Sequence, residues 1–283
     1  MLSSRLFRKC CFNRRLIMPK FLWQILACCT VTMIRKALLC LISVQALFSV
    51  SRLGAMDNNF ELNRPIYFEQ GAGDDTLVIV AFGNSITATR KTINQVFAQR
   101  LPSLLVNDGI VCRVINAGIG GSHTGHRVDN QLFKIPHALD RLDTAVLAKH
   151  PNLTIIGFGT NDAYIDSKVK KGPSRIPLQD YQKNLEYIIT QLQQINSRII
   201  LIAPNPLGEK FPDFQNKRLK KYVKVVRRIA QKYHTGLVDN FKSFKKYGQK
   251  LDDLLLDGIH PNDQGHIMIA EALRQVILNQ NDN

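Results

Sequence analysis

The sequence of 283 residues contains few of the residues that build disulfide-rich or metal-binding proteins. It has only six cysteines, and five of them lie in the first 40 residues, so that Cys112 is alone in the rest of the chain. The histidines are not accompanied by an H-E-x-x-H motif or by a cluster of carboxylates. These absences argue against a disulfide scaffold, and they predict that the protein uses no metal and no cofactor.

Acidic residues are missing from the first 55 positions, which hold nine of the 38 lysines and arginines. Two apolar stretches of about 14 residues, 21–34 and 37–50, are separated there by Arg35 and Lys36. Neither stretch reaches the roughly 20 residues that a membrane-spanning helix needs. A basic start, an apolar run and a zone of small residues are typical of a secretory signal peptide. We therefore expect residues 1–55 to be a signal peptide or, alternatively, an uncleaved membrane anchor, and the protein to be exported to the periplasm or secreted.

The rest of the chain has the length of one domain. All 22 acidic residues lie beyond position 55, so the net charge of this part is +7 compared with +16 for the whole chain. Roughly 200 residues are enough to bury a sizeable core. We expect residues 56–75 to be a lead-in segment and residues 76–283 to form the single folded domain.

Strand-like apolar runs alternate with helix-like amphipathic segments along this domain. The predicted strands are 76–82, 111–115, 153–158, 198–203 and 236–238. The predicted helices are 93–105 (with a break near Pro102), 178–194, 214–233 and 263–278. This alternation predicts an α/β fold, a three-layer α/β/α sandwich around a mostly parallel five-stranded sheet.

Glycine and polar side chains follow the ends of the first three predicted strands. Gly83-Asn84-Ser85 follows the first strand, residues 116–121 follow the second, and residues 159–162 follow the third. Because open α/β sheets bind ligands at the carboxyl ends of their strands, we expect these segments to lie close together at a binding site. Taken alone, each segment also fits ordinary turn or helix-cap chemistry.

A serine at such an edge needs a base before its hydroxyl becomes a good nucleophile. His260 is the best candidate, and Asp257 precedes it by three residues. A carboxylate in this position can accept a hydrogen bond from one ring nitrogen while the other nitrogen faces a serine. The alternative is an exposed loop histidine that caps the helix after it.

Together the four segments resemble the signature blocks of the SGNH (GDSL-type) hydrolase superfamily, which hold a serine, a glycine, an asparagine and a D-x-x-H pair. The resemblance spans about residues 76–278 and implies a flavodoxin-like fold. It implies that Ser85 is the nucleophile, His260 its general base and Asp257 the residue that orients the histidine. It also implies an oxyanion hole formed by the backbone N–H groups of Ser85 and Gly121 and by the side chain of Asn161.

Within the second block, Gly121 is preferred to Gly120 because the family's glycine falls five residues after the asparagine that matches Asn116. One position departs from the family pattern, since Asn84 stands where the family usually has an aspartate. Three residues that flank the catalytic groups are assigned to substrate binding: Asn84, His123 and Asp162.

The resemblance implies a serine esterase that works through an acyl-serine intermediate. The segments between the blocks are short, which predicts an open cleft and short acyl groups, with acetylated carbohydrates or other short-chain esters as substrates. Alternatives within the superfamily are a lysophospholipase, a thioesterase, or a catalytically silent relative that binds glycans or lipids. A nucleotide-binding α/β protein is a further alternative, but the loop 116–125 lacks the third glycine of G-x-G-x-x-G. No G-x-S-x-G elbow surrounds Ser85, which argues against an α/β-hydrolase.

The predicted helix 214–233 carries lysines and arginines on the face opposite its apolar stripe. This pattern fits a solvated helix face, or a surface that contacts anionic glycans or a membrane. No nucleic-acid partner is predicted, because no recognised binding module or aromatic platform accompanies the charge.

Overall fold

The computed structural model describes residues 76–167, 171–247 and 250–280. All of them belong to the second of two compact units, Glu61–Asn283. The predictions for residues 1–55 and 56–75 therefore lie outside the described residues. In the described part of the chain, no helix combines the length and the apolar character needed to cross a membrane.

Five parallel strands form the central sheet, in the order β2-β1-β3-β4-β5. This is the flavodoxin-like order, in which the chain reverses direction across the sheet next to β1. The predicted α/β/α sandwich with a parallel five-stranded sheet is confirmed. The strands are β1 (Leu77–Gly83), β2 (Cys112–Gly118), β3 (Leu153–Gly157), β4 (Arg198–Ala203) and β5 (Gly236–Asp239).

Helices cover both faces of the sheet. The α-helices are α1 (Phe97–Val106), α2 (Ala138–Ala145), α3 (Thr160–Ala163), α4 (Leu178–Gln194), α5 (Asp213–Lys232), α6 (Asn240–Lys245) and α7 (Asp263–Asn279). Two short 3₁₀ turns lie at Leu147–Lys149 and Leu251–Leu254.

The central strand β1 is buried on both faces because its alternate side chains enter different cores. Val80 and Phe82 pack in the core beneath α4 and α5, whereas Ile79 and Ala81 pack in the core beneath α1 and α7. Successive side chains of a strand point to opposite faces, so a strand covered on both sides has to be apolar throughout. This explains the uninterrupted apolar run by which the strand was predicted.

Helix α1 differs from its prediction at its start and at the break that was expected near Pro102. It begins at Phe97 rather than Ile93, and it continues through Pro102. Phe97, Leu101 and Leu105 are fully buried, and α1 packs along α7. This packing keeps the turns around Pro102 helical although the proline cannot donate a backbone hydrogen bond.

Strand β2 is longer than predicted and includes Asn116, which was assigned to the following loop. The residues 112–118 pair in register with β1, and Gly118 lies opposite Gly83. A Cβ atom at Gly118 would lie 2.2 Å from the backbone nitrogen of Ala88, so only glycine fits where the loop after β1 passes the end of β2. The carboxyl ends of these strands therefore meet at one crowded edge of the sheet.

Candidate active site

Ser85 lies on a tight turn that directly follows β1. The strand ends at Gly83, and Oδ1 of Asn84 accepts a hydrogen bond from the backbone N–H of Ile86 at 2.9 Å. The carbonyl oxygen of Asn84 accepts another from the N–H of Thr87 at 3.1 Å. Asn84 and Ile86 are buried while Ser85 between them is half-buried, so the turn presents the serine at the carboxyl edge of the sheet.

The same turn corrects the prediction that Asn84 binds substrate. Its side chain is buried, and its amide oxygen is already used by the N–H of Ile86. An amide oxygen accepts this hydrogen bond as an aspartate oxygen would. Asn84 therefore shapes the turn that carries Ser85, and this turn does not require an aspartate at position 84.

His260 lies on the loop before α7 and joins Asp257 to Ser85. Its Nδ1 atom lies 2.7 Å from Oδ2 of Asp257, and its Nε2 atom lies 2.9 Å from Oγ of Ser85. Oδ1 of Asp257 also accepts hydrogen bonds from the backbone N–H groups of Ile259 at 3.1 Å and His260 at 2.9 Å. The fold thus brings together the three side chains singled out in the sequence, although Ser85 and His260 are 175 positions apart.

Charge and hydrogen bonding assign the protons in this chain of three groups. Burial raises the pKa of Asp257, but the N–H groups of His260 and Ile259 outweigh it and lower this pKa to about 2. Burial lowers the pKa of His260, an effect that Asp257 opposes and the charge of Arg90 reinforces. An ionised carboxylate only accepts, so Nδ1 of the neutral imidazole carries the proton. Nε2 is then free to accept the proton of the Ser85 hydroxyl.

Arg90 offers a test of this electrostatic arrangement. Its guanidinium lies 3.9 Å from Asp257, and its charge disfavours the protonated form of His260. We expect Arg90→Met to raise the pKa of His260, so that a larger share of the imidazole is protonated at a given acidic pH. The acidic limb of the kcat/KM profile against pH would then move to higher pH, measured with an uncharged ester.

Arg90→Lys is the matched control for this prediction, because it keeps the positive charge and should leave the acidic limb close to its original position. An unchanged limb in Arg90→Met, or a shift to lower pH, would contradict the proposed influence of Arg90 on His260.

Two backbone amides near Ser85 are candidates for an oxyanion hole. The N–H groups of Ser85 and Gly121 donate no hydrogen bond to any residue that the structure describes. Gly121 follows β2 and has a φ of +78°, a conformation that favours glycine. A Cβ atom at this position would lie 3.0 Å from the ring of Phe133. The backbone conformation therefore favours glycine here, and a methyl group would displace the ring of Phe133 by a few tenths of an ångström.

Gly121→Ala is expected to lower kcat for ester hydrolysis about tenfold or more, because the added methyl group forces the loop or the ring of Phe133 to move. Gly109→Ala is a matched control: Gly109 has the same φ of +78°, and a Cβ there would have no neighbour within 4 Å. Both variants should lose about 1 kcal/mol of stability from the backbone conformation. Thermal unfolding measures the loss of stability, and steady-state kinetics measure the loss of kcat. Full activity in Gly121→Ala would show that the Gly121 N–H is not part of the oxyanion hole.

Asn161 lies in α3, directly after β3. Its Nδ2 atom donates a hydrogen bond to the carbonyl oxygen of Ser122 at 3.0 Å, and its Oδ1 atom accepts one from Nη1 of Arg175 at 3.0 Å. An amide nitrogen carries two hydrogens, so one of them is left for a ligand. Because Ser122 follows Gly121 in the chain, the contact holds the Asn161 amide beside the Gly121 loop.

Asp162 was predicted to bind substrate, and the structure corrects this. The carboxylate is fully buried and accepts hydrogen bonds from the N–H and the hydroxyl of Thr124 at 2.8 and 2.6 Å and from the N–H of Gly159 at 3.0 Å. Burial raises its pKa to about 6, although these hydrogen bonds oppose the rise. Asp162 therefore ties the loop after β2 to the turn after β3.

His123 was also predicted to bind substrate, and it too is a buried structural residue. Its ring stacks on His137 with centroids 3.4 Å apart, and its Nδ1 atom accepts a hydrogen bond from the N–H of Gly125 at 3.1 Å. Burial lowers its pKa to about 4, so the ring is neutral near pH 7. The histidine pair supports the loop between β2 and α2 from inside the protein.

Sequence reasoning missed Arg90 and Arg175, which contact Asp257 and Asn161 of the candidate site. Neither belongs to a signature block, and loop arginines give no periodic signal. Their proximity to Asp257 and Asn161 arises only when distant loops meet at the sheet edge.

Many cations of the basic helix α5 are engaged within the protein. Arg227 pairs with Asp239 at 2.8 Å, Lys232 pairs with Glu186 at 3.0 Å, and Arg218 donates to Oγ of Ser174 at 2.7 Å. The exposed lysines of this helix are Lys217, Lys220, Lys221, Lys224 and Lys232.

Among the described residues, no three His, Cys, Asp or Glu side chains are grouped so that they could hold a metal ion.

Comparison with known proteins agrees with this geometry. The model of the GDSL-like Lipase/Acylhydrolase family matches residues 81–267, more than half of the chain. The protein belongs to this family. The matched segment runs from β1 into α7 and includes the Ser85 turn, the Gly121 loop, Asn161 and the loop of Asp257 and His260.

Two relatives and one solved structure that resemble this family member carry esterase or lipase names. It is 25% identical over 169 residues to an acetylxylan esterase of Geobacillus stearothermophilus, covering 58% of this chain and 72% of that one. It is 29% identical over 143 residues to a GDSL esterase/lipase of Arabidopsis thaliana, covering 46% and 56%. The crystal structure of a lipase/acylhydrolase from Enterococcus faecalis superposes with a TM-score of 0.59 at 25% identity, covering 72% of this chain and 97% of that chain. Family and relatives together support a hydrolase of the esterase type.

Proposed function

We propose that this protein is a serine esterase that hydrolyses short-chain acyl esters, acetyl esters of carbohydrates first among them. One observation carries the proposal: the hydrogen-bonded chain from Asp257 through His260 to Ser85, with contacts of 2.7 and 2.9 Å. A carboxylate, an imidazole and a hydroxyl in this order form the arrangement that activates a serine. The N–H groups of Ser85 and Gly121, which donate to no described residue, and the Asn161 amide supply donors for an oxyanion.

In the first half of the reaction, Oγ of Ser85 attacks the ester carbonyl carbon while Nε2 of His260 takes its proton. The carbonyl oxygen becomes an oxyanion, which accepts hydrogen bonds from the N–H groups of Ser85 and Gly121 and from Nδ2 of Asn161. Asp257 stabilises the imidazolium that has formed. When the tetrahedral intermediate collapses, His260 returns the proton to the leaving alcohol oxygen, and an acyl-serine remains.

In the second half, a water molecule attacks the acyl-serine carbonyl and gives its proton to Nε2 of His260. The same donors stabilise the second oxyanion. Collapse of this intermediate releases the carboxylic acid, and the proton returns from His260 to Oγ of Ser85. Each group thus acts twice, once in forming the acyl-serine and once in cleaving it.

The proposed substrate class follows from one named relative and from one aromatic side chain. One relative is named as an acetylxylan esterase. The ring of Phe133 lies against Gly121 and is partly exposed, so an apolar aromatic side chain borders the position of the oxyanion. The exposed edge of such a side chain can contact the apolar C–H groups of a sugar ring. We therefore place acetylated carbohydrates ahead of lysophospholipids and thioesters.

A two-part experiment tests this function. A fluorophosphonate probe should label wild-type protein at Ser85, as mass spectrometry of the labelled peptide would show. A series of p-nitrophenyl esters of increasing chain length, followed by acetylated xylo-oligosaccharides, should give the highest kcat/KM for acetyl esters. Preference for long acyl chains would indicate a lysophospholipase, and preference for acyl-thiols a thioesterase. Absence of both labelling and turnover would indicate a silent glycan- or lipid-binding relative.

We further propose that the protein works outside the cytoplasm. The support is the segment 1–55, with its basic start and its apolar runs. The exposed lysines of α5 other than Lys232, which pairs with Glu186, would then be available to anionic glycans or to a membrane surface. Cell fractionation tests the location, and activity confined to the cytoplasmic fraction would overturn it.

A further inference from the structure

Arg175 lies on the loop before α4, and its charged side chain is only 10% exposed. Its guanidinium donates to both carboxylate oxygens of Asp166, with distances between 2.7 and 3.1 Å. It also lies 4.7 Å from the ring centre of Tyr164 and 5.1 Å from that of Phe133. Ion pairing and two aromatic faces therefore hold the guanidinium in one place.

From that place Arg175 controls which way the Asn161 amide faces. Nη1 of Arg175 lies 3.0 Å from Oδ1 of Asn161, and a guanidinium only donates hydrogen bonds. The carbonyl oxygen of Ser122, which only accepts, lies 3.0 Å from Nδ2 on the other side of the same amide. Both neighbours demand the same orientation, with the amide oxygen toward Arg175 and the NH₂ group toward Ser122. A flipped amide would lose both hydrogen bonds.

The cation also strengthens the donor. A hydrogen bond to the oxygen of an amide polarises the group and makes its N–H hydrogens more positive. A positive charge on the donor enhances this polarisation. The second hydrogen on Nδ2 of Asn161, the one that Ser122 does not use, is then both oriented and polarised before a substrate arrives.

The backbone around Arg175 is held by hydrogen bonds that do not involve the Arg175 side chain. The N–H of Arg175 donates to the carbonyl oxygen of Tyr164 at 3.0 Å, and the next N–H, of Ile176, donates to the carbonyl oxygen of Asp162 at 3.1 Å. These backbone contacts remain when the side chain is changed. The effect of the guanidinium on the site can therefore be separated from its contribution to the fold.

We propose that Arg175 is a positioning residue of the oxyanion hole, which fixes and polarises the Asn161 amide so that it stabilises the oxyanion of ester hydrolysis. The proposal rests on the proposed esterase function, and it adds a residue outside the four signature blocks. Arg175 acts through Asn161.

The test is a double-mutant cycle between Arg175→Met and Asn161→Ala, read out as kcat and KM on a short p-nitrophenyl ester. Methionine keeps an unbranched apolar stem between the rings of Tyr164 and Phe133 and removes the guanidinium. Arg175→Met alone is expected to lower kcat about 10- to 100-fold with little change in KM, because the donor is lost mainly in the transition state. In the Asn161→Ala background the same substitution should have almost no effect on kcat.

Two further variants make the test specific. Arg175→Lys keeps the positive charge, but the single ammonium group cannot donate to Asp166 and Asn161 at the same time as the planar guanidinium does. Its kcat should therefore lie between those of wild type and Arg175→Met. Arg274→Met is the matched control, since Arg274 forms a comparable two-bonded pair with Asp108, which precedes β2 and so lies near the amino ends of the strands. This variant should keep the wild-type kcat. If Arg175→Met fails to fold, the cycle is run with Arg175→Lys.

The outcomes separate this inference from the function on which it rests. Near-normal turnover of Asn161→Ala would show that Asn161 is not an oxyanion-hole donor, and the proposed set of three donors would then be wrong. A crippled Asn161→Ala together with an Arg175→Met of normal kcat would overturn only the role of Arg175. So would an Arg175→Met whose loss of kcat is equally large in the Asn161→Ala background.

Discussion

Replacing Ser85 by alanine is expected to lower kcat for ester hydrolysis by about 10⁶-fold, the size of loss that follows removal of the nucleophile from a serine hydrolase. In the proposed mechanism the hydroxyl accounts for the whole covalent pathway, because no acyl-serine forms without it. KM and thermal stability should change little, since Ser85 is half-buried and its neighbours Asn84 and Ile86 form the turn. The measurement is steady-state hydrolysis of a p-nitrophenyl ester at high enzyme concentration, with a thermal unfolding curve for each protein.

Ser103→Ala is the control for this experiment, because Ser103 is an exposed serine of α1. His260→Ala should be nearly as inactive as Ser85→Ala, and the double variant should be no worse than either single one, because the two residues act as a unit. Appreciable turnover by Ser85→Ala would mean that another group attacks the ester, and additive losses in the double variant would mean that His260 does not serve Ser85.

Replacing Asn161 by alanine is expected to lower kcat by about 10²- to 10³-fold, the typical loss when one oxyanion-hole donor is removed. KM should change much less, because the developing negative charge, rather than the neutral carbonyl, depends on the donor. The substitution also leaves the carbonyl oxygen of Ser122 and a guanidinium N–H of Arg175 without their present partner. Thermal unfolding should therefore accompany the kinetics.

Asn107→Ala is the matched control, since Asn107 is an exposed asparagine that follows α1. Asn161→Asp is a more stringent test, because a carboxylate in this position would repel the oxyanion and has no N–H that could donate a hydrogen bond. It should be at least as impaired as Asn161→Ala. Turnover within a fewfold of wild type in either variant would exclude Asn161 as a donor.

The parts of this fold that the sequence predicts well are those with strong apolar patterns. The strands β1, β3 and β4 are predominantly apolar because helices cover them on both faces, and α4 and β4 have the predicted bounds. The catalytic candidates could be placed because each follows the end of such a strand or precedes a long helix. The short helices α2 and α6 were missed, since eight and six residues are too few to display a helical period.

The errors in the site have one physical origin. A polar residue next to a catalytic group faces either the cleft or the protein interior, and the sequence carries no direct signal for that choice. Asp162 and His123 turn inward because Thr124, Gly159 and His137 offer them partners there. Asn84 turns toward the backbone of its own loop. Conversely, Arg175 reaches Asn161 across 14 positions, through a loop whose course only the tertiary structure defines.

The position of His260 after the last strand has a consequence for the order of events during synthesis. All five strands are complete at Asp239, whereas Asp257 and His260 follow, and α7 docks on α1 through Arg100 and Asp263, 2.6 Å apart. When residues up to 239 have left the exit tunnel of the ribosome, Ser85 is already outside, but His260 is not. Under the proposed mechanism, ester hydrolysis therefore becomes possible only at a late stage of chain growth. A polypeptide truncated before residue 257 would lack activity even if its sheet had formed.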